Sequence, residues 1–127
     1  MVLDSSVLLA VFFAEEHGEW AVDQLEQHTA ELHMSTVNAA EVLIQLQDRQ
    51  PRLFDNLKER LLTSGIRFVS PDIRQAELAA AARLRFPLNL GDCFAYALAV
   101  VRGDAILTLD EDFRAIDQPV VLPPRQA

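Results

Sequence analysis

The sequence predicts an α/β fold with a mainly parallel central sheet flanked by helices. Two observations carry that expectation. Short apolar runs at residues 1–3, 31–35, 66–69 and 105–109 have the length of buried strands, and stretches with helical spacing separate them. The chain has 127 residues, half of them hydrophobic and 24% charged, which predicts one domain over 1–127 with an ordinary soluble composition. A domain of this size buries about two-thirds of the surface of its unfolded chain, so it needs no disulfide or zinc staple.

The elements follow in order. Residues 1–3 form the first strand, and Ser5 or Ser6 is placed to cap a helix running to about Phe13. Residues 18–28 read as a second helix with Trp20, Val22 and Leu25 as its apolar positions. A short strand at 31–35 precedes a helix capped by Ser35 or Thr36 and running to about Asp48. Residues 51–63 carry Leu53, Leu57, Arg60 and Leu61 at helical spacing, and Gly65 stops that helix. After the strand at 66–69, Ser70-Pro71 is expected to open an alanine-rich helix that ends before Pro87. Gly91-Asp92 opens the next helix, Gly103 closes it, and 105–109 is the last clear strand. Residues 119–124 read as irregular or as a weak edge strand.

Composition narrows the function classes. Net charge is −8, and residues 1–48 hold nine acids and neither Lys nor Arg. Residues 49–127 hold ten acids and all eleven bases, ten of them arginine. Overall electrostatics disfavours a general nucleic-acid binder, while leaving room for a local arginine patch. The single cysteine, Cys93, forbids an intrachain disulfide and suits a reducing compartment. The start Met1-Val2-Leu3-Asp4 has no basic region of a secretory signal, and no apolar run reaches the roughly 18–20 residues that span a bilayer. A cytoplasmic location is expected.

Five acids are poorly explained as surface. In parallel sheets, sites lie beyond the carboxyl ends of the strands. Asp4 directly follows the first strand, and Asp110 and Asp112 follow the last. Asp92 opens a helix whose neighbours Ala95, Tyr96 and Ala99 look core-facing, and Glu41 lies among Ala39, Ala40, Val42 and Leu43. Each alone has a bland explanation as a cap, a first-turn acid or a turn acid. Together they would repel one another unless a cation compensated. Oxygen-only ligands suit Mg²⁺ or Mn²⁺, while His17, His28, His33 and Cys93 form no zinc motif. Carboxylate-held Mg²⁺ serves chiefly phosphoryl chemistry, with one ion or two activating a water. A P-loop is absent, as is the Gly-x-Ser-x-Gly elbow of Ser/His/Asp hydrolases, and the only lysine, Lys58, lies away from any late strand.

Four segments resemble the motifs of the PIN-domain family, in order and over nearly the whole chain. They are Val2-Leu3-Asp4-Ser5-Ser6-Val7-Leu8-Leu9, then Ser35-Thr36-Val37-Asn38-Ala39-Ala40-Glu41, then Leu90-Gly91-Asp92-Cys93-Phe94-Ala95-Tyr96-Ala97-Leu98-Ala99, and finally Leu107-Thr108-Leu109-Asp110-Glu111-Asp112-Phe113. Length and the lack of added domains make the chain look like the VapC group of that family, the toxin halves of toxin–antitoxin pairs. The resemblance implies a three-layer sandwich and a Mg²⁺-dependent endoribonuclease, with Mn²⁺ as a substitute. Asp4, Glu41, Asp92 and Asp110 would form its acidic quartet, with Asp112 a near-equal candidate for the fourth place and Ser6 and Thr108 as polar supports. It also implies a homodimer, a VapB-type antitoxin and structured RNA such as tRNA as substrate. Arg49, Arg52, Arg83, Arg85 and Arg114 are the candidate RNA contacts. Two rivals remain: a non-catalytic interaction module that kept the fold, and a DNA nuclease or phosphatase using the same acids.

Overall fold

The computed structural model describes residues 1–125 and contains a five-stranded parallel sheet with six α-helices. The elements in chain order are β1 (Val2–Leu3), α1 (Ser5–Phe12), α2 (Gly18–Gln27), β2 (His33–Ser35), α3 (Thr36–Arg49), α4 (Phe54–Leu62), β3 (Arg67–Val69), α5 (Ile73–Arg85), α6 (Leu90–Arg102), β4 (Ile106–Leu107) and β5 (Val120–Val121). A 3-10 helix, Glu111–Ala115, follows β4. Sheet order is β3-β2-β1-β4-β5, with Val2 opposite Ile106 and Leu3 opposite Leu107.

Alternation along these short strands divides the core in two. Val2, Ile106, Val69 and Val120 face α5 and α6, whose Ala79, Ala82, Ala95, Leu98 and Ala99 pack against them. Leu3, Leu107, Phe68 and Val121 face the other way, toward Val7, Leu8, Val42 and Leu46 of α1 and α3. Helices thus cover both faces, as a parallel sheet requires. No single helix among the described residues is long and apolar enough to cross a membrane.

Several boundaries differ from expectation for local reasons. Neither Ser5 nor Ser6 caps α1; Asp4 is the N-cap residue by backbone and its side chain makes no cap bond. Ser35 does cap α3, accepting the Val37 N–H. The α4 helix begins at Phe54 rather than Pro51, because residues 51–53 form a turn. Ser70-Pro71 does not open α5. The extended backbone runs two residues further, and Asp72 caps the helix through the Gln75 N–H at 2.9 Å. Strands are shorter than their apolar runs, because β1 and β4 each pair over only two residues. The segment at 119–124 supplies β5, a parallel edge strand beside β4. Gly103 closes α6 with φ +66°, a left-handed geometry that glycine adopts without a Cβ penalty.

Candidate active site

Asp4 and Asp110 lie just beyond β1 and β4, and Asp4, Glu41, Asp92 and Asp110 are near enough for their charges to act on one another. Each is placed by a different piece of local structure.

Asp4 leaves β1 directly and is only 2% exposed. Both supporting hydroxyls converge on one of its oxygens. Ser6 Oγ donates to Asp4 Oδ2 at 2.7 Å and Thr108 Oγ1 donates to the same atom at 2.9 Å. Those hydroxyls are themselves fixed from the last motif: the Leu109 N–H donates to Ser6 Oγ and the Asp110 N–H to Thr108 Oγ1, each at 3.0 Å. The second carboxylate oxygen, Oδ1, is buried with no hydrogen-bond partner. A buried oxygen in that state is costly unless a proton or a cation satisfies it. Burial raises the Asp4 pKa; the two hydroxyls oppose this, and the charges of Glu41 and Asp110 add to it.

Asp92 has a structural duty as well as an electrostatic one. Asn89 caps α6, accepting the Asp92 N–H at 2.9 Å, while Asp92 Oδ2 accepts the Asn89 N–H at 3.2 Å. This reciprocal capping box fixes the carboxylate at the helix start. Burial pushes its pKa up to about 7, and the charges of Asp4, Asp110 and Glu41 all push the same way, against the Asn89 hydrogen bond.

Asp110 is half-buried and starts the 3-10 helix, where its Oδ1 accepts the Asp112 N–H at 2.9 Å. Asp112 itself is exposed, and the charges pressing on Asp4 and Asp92 come from the other acids. Buried Phe113 anchors this turn in the core. Glu41 sits on α3 with its carboxylate against the first turn of α6, where Asn38 Nδ2 donates to Oε1 at 2.9 Å.

Sequence reasoning missed three residues here. The Asn89-to-Asp92 spacing is a readable capping signal. Asn38 stands one turn before Glu41 on an otherwise apolar helix face, a weaker signal. Gly91 gives none, because its role appears only when α3 is docked against it.

Among the described residues, no group of three or more His, Cys, Asp and Glu side chains stands close enough to hold one ion directly. The donors nevertheless fit a hard divalent cation. They are all oxygen, one of them is a buried atom with no partner, and their charges repel. Mg²⁺ keeps several waters and commonly takes only one or two carboxylates, so a closed cage is not required.

Of the arginines, Arg85 is paired with Asp117 at 3.0 Å, Arg114 with Glu111, and Arg49 with Glu15 at 3.5 Å while its guanidinium lies over Phe13. Arg52 and Arg83 are exposed and make no ion pair among the described residues. Arg83 lines a cavity beside the start of α6 with Leu90 and Cys93. Cys93 is a buried core residue, 1% exposed. Tyr96 packs in the core, and its hydroxyl donates to Asp117 at 2.7 Å.

Comparison with known proteins gives the family and the fold. Residues 1–119 match the PIN domain. A VapC ribonuclease of Mycobacterium bovis is 32% identical over 126 residues, covering 92% of this chain and 95% of that protein. The Ribonuclease VapC of Mycolicibacterium smegmatis is 33% identical over 132 residues, covering 95% and 99%. Among solved structures, a toxin–antitoxin complex from Klebsiella pneumoniae superposes with TM-score 0.79 at 21% identity over 98% of both chains. VapC20 of Mycobacterium tuberculosis, described as a sarcin–ricin loop cleaving toxin, does so with TM-score 0.81 at 17% identity over 96% and 98%. By motif order, architecture and sequence similarity over nearly its full length, the chain belongs to the PIN domain family, among the VapC proteins.

Proposed function

We propose that this protein is a divalent-metal-dependent endoribonuclease and the toxin half of a toxin–antitoxin pair. The observation that carries the reading is the buried, partnerless Oδ1 of Asp4 among three further carboxylates at the sheet's carboxyl edge. Asp4, Glu41, Asp92 and Asp110 are the residues assigned to hold the cation, Mg²⁺ or Mn²⁺. Asp112 is left outside this set because it is exposed and serves Asp110 through its backbone. When bound, the cation supplies positive charge to an attacking water and to the leaving oxygen.

The chain's own groups do the rest. Ser6 and Thr108 hold Asp4 through one oxygen and leave the other available. Glu41 or Asp110 accepts a proton from water as its oxygen bonds to phosphorus in line with the departing 3′-oxygen. The P–O3′ bond breaks, and the 3′-oxygen takes a proton. The product ends are 5′-phosphate and 3′-hydroxyl. No histidine belongs to this set, which disfavours a route through the 2′-hydroxyl.

The relatives named as VapC ribonucleases support RNA as substrate; structured RNA such as tRNA is the target class we assign. The antitoxin complexes among the structural neighbours support a VapB-type partner. An apolar groove of about 390 Å³, lined by Leu8, Phe12, Leu25, Leu61 and Ile66, is the place we assign to such a partner's helix. A homodimer, a single domain and a cytoplasmic location complete the reading.

Asp4→Asn and Asp92→Asn are expected to abolish RNA cleavage while circular dichroism stays unchanged. Wild-type rates in both variants would remove the mechanism. The rival, a non-catalytic interaction module, draws on there being no ready-closed ligand group among the described residues. It predicts that Mn²⁺ leaves the melting temperature unmoved, whereas a cation bound only by the folded state must raise it.

A further inference from the structure

Asn38 is fully buried on α3, three residues before Glu41 and on the same face. Its amide nitrogen serves two acceptors on different elements. Nδ2 donates to Glu41 Oε1 at 2.9 Å and to the backbone carbonyl of Gly91, on α6, at 3.0 Å. Both partners only accept, so they settle which end of the amide faces them. The other end, Oδ1, is buried with no partner. An apolar residue of the same size would leave no such orphan, so packing alone does not account for asparagine here.

Gly91 supplies the other half of the arrangement. A Cβ at this position would lie 2.3 to 2.6 Å from the three terminal atoms of the Glu41 carboxylate, and those are the nearest atoms to it. The carboxylate therefore occupies the space that any other residue at 91 would fill, in the turn that carries Asp92.

We propose that Asn38 is a positioning residue, its amide pinning the Glu41 carboxylate into the notch over Gly91 so that Glu41 and Asp92 bind one divalent cation together. This rests on the metal-nuclease reading above. A purely structural Asn38 would tie α3 to α6 without touching cation affinity.

Mn²⁺ titration calorimetry on the full chain separates the two. Asn38→Leu is expected to weaken Mn²⁺ binding about tenfold or more, the usual scale for losing a residue that orients a ligand. In a Glu41→Gln background the same change is expected to add nothing, because its effect passes through Glu41. Gly91→Ala is expected to weaken Mn²⁺ similarly, because its Cβ would displace the Glu41 carboxylate from the notch. Loss of cation-free stability with Mn²⁺ affinity intact in both Asn38→Leu and Gly91→Ala would overturn the proposal. So would an Asn38→Leu effect that persists in full beside Glu41→Gln. If Asp4→Asn, Glu41→Gln and Asp92→Asn themselves leave Mn²⁺ affinity unchanged, the metal reading falls and this proposal with it. If they weaken it and the Asn38 and Gly91 variants do not, only this proposal falls.

Discussion

At pH 5 and without a cation, Asp92 keeps its proton, because burial and three neighbouring acids push its pKa up to about 7. An unfolded Asp titrates near 3.8, so between about pH 4 and 7 the folded state binds a proton that the unfolded state has released. Raising the pH through that window therefore removes stability from the cation-free protein, the reverse of an ion-paired acid. Asn mimics the protonated form and can still accept the Asn89 N–H. In chelator, Asp92→Asn should melt at about the wild-type temperature near pH 4.5 and several degrees above it at pH 8. A difference that stays flat with pH would show that Asp92 carries no such burden. The resemblance named Ser6 and Thr108 as polar supports, and both hydroxyls reach Asp4. The choice between Asp110 and Asp112 was not readable, since two residues of spacing look alike until the backbone turns. The charge of Asp110 presses on Asp4, and Asp110 caps the turn by accepting the Asp112 N–H, while Asp112 is exposed.

The least legible element was the 3-10 helix after β4. Its five residues, Glu-Asp-Phe-Arg-Ala, give no periodicity to recognise, yet one of them does most of the anchoring. Phe113 is 0% exposed and packs with the cluster beneath α5 and α6. Truncating a buried phenylalanine costs about 3–5 kcal/mol. Phe113→Ala is therefore expected to lower stability by that amount, measured by denaturant unfolding, and to depress cleavage further by freeing the turn that carries Asp110. Stability within 1 kcal/mol of wild type would mean the turn is held by something else, on the usual scale of surface substitutions. Helices fared better than strands in the sequence because they repeat their signal. The helices α3 and α6 were marked by their start and stop residues, whereas β1 and β4 have two residues each and were visible only as apolar runs beside charged ends. The start of α5 was misread because Ser70-Pro71 and Asp72 are all valid openings, and the competition is settled by where β3 delivers the chain.

Across the whole molecule, charge is segregated by sequence but mixed in space. The acidic first 48 residues and the arginine-bearing remainder both contribute strands to one sheet. Arg83, exposed and without an ion pair among the described residues, lines a cavity with Leu90 and Cys93 at the start of α6. In an Asp4→Asn background that prevents cutting, Arg83→Ala should weaken RNA binding and flatten its salt dependence by about 0.7 in log–log slope, the value of one single-stranded phosphate contact. Arg85→Ala, whose guanidinium is already paired with Asp117, should change that slope less. Equal slopes for all three proteins would move the RNA path elsewhere. The fold class and the edge where the acids gather were legible because parallel sheets present their strand ends together. The contacts between α3 and α6 were not, because nothing in either segment names the other.

Asp4 and the Thr108–Asp110 segment are joined by hydrogen bonds, yet synthesis makes them more than a hundred positions apart. A growing polypeptide that has not reached β4 has no hydroxyl from Thr108 on Asp4 and no Asp110. On the ribonuclease reading it is inert toward the transcript and the ribosome producing it. On that reading, cutting activity cannot begin before β4 and the turn after it have been made.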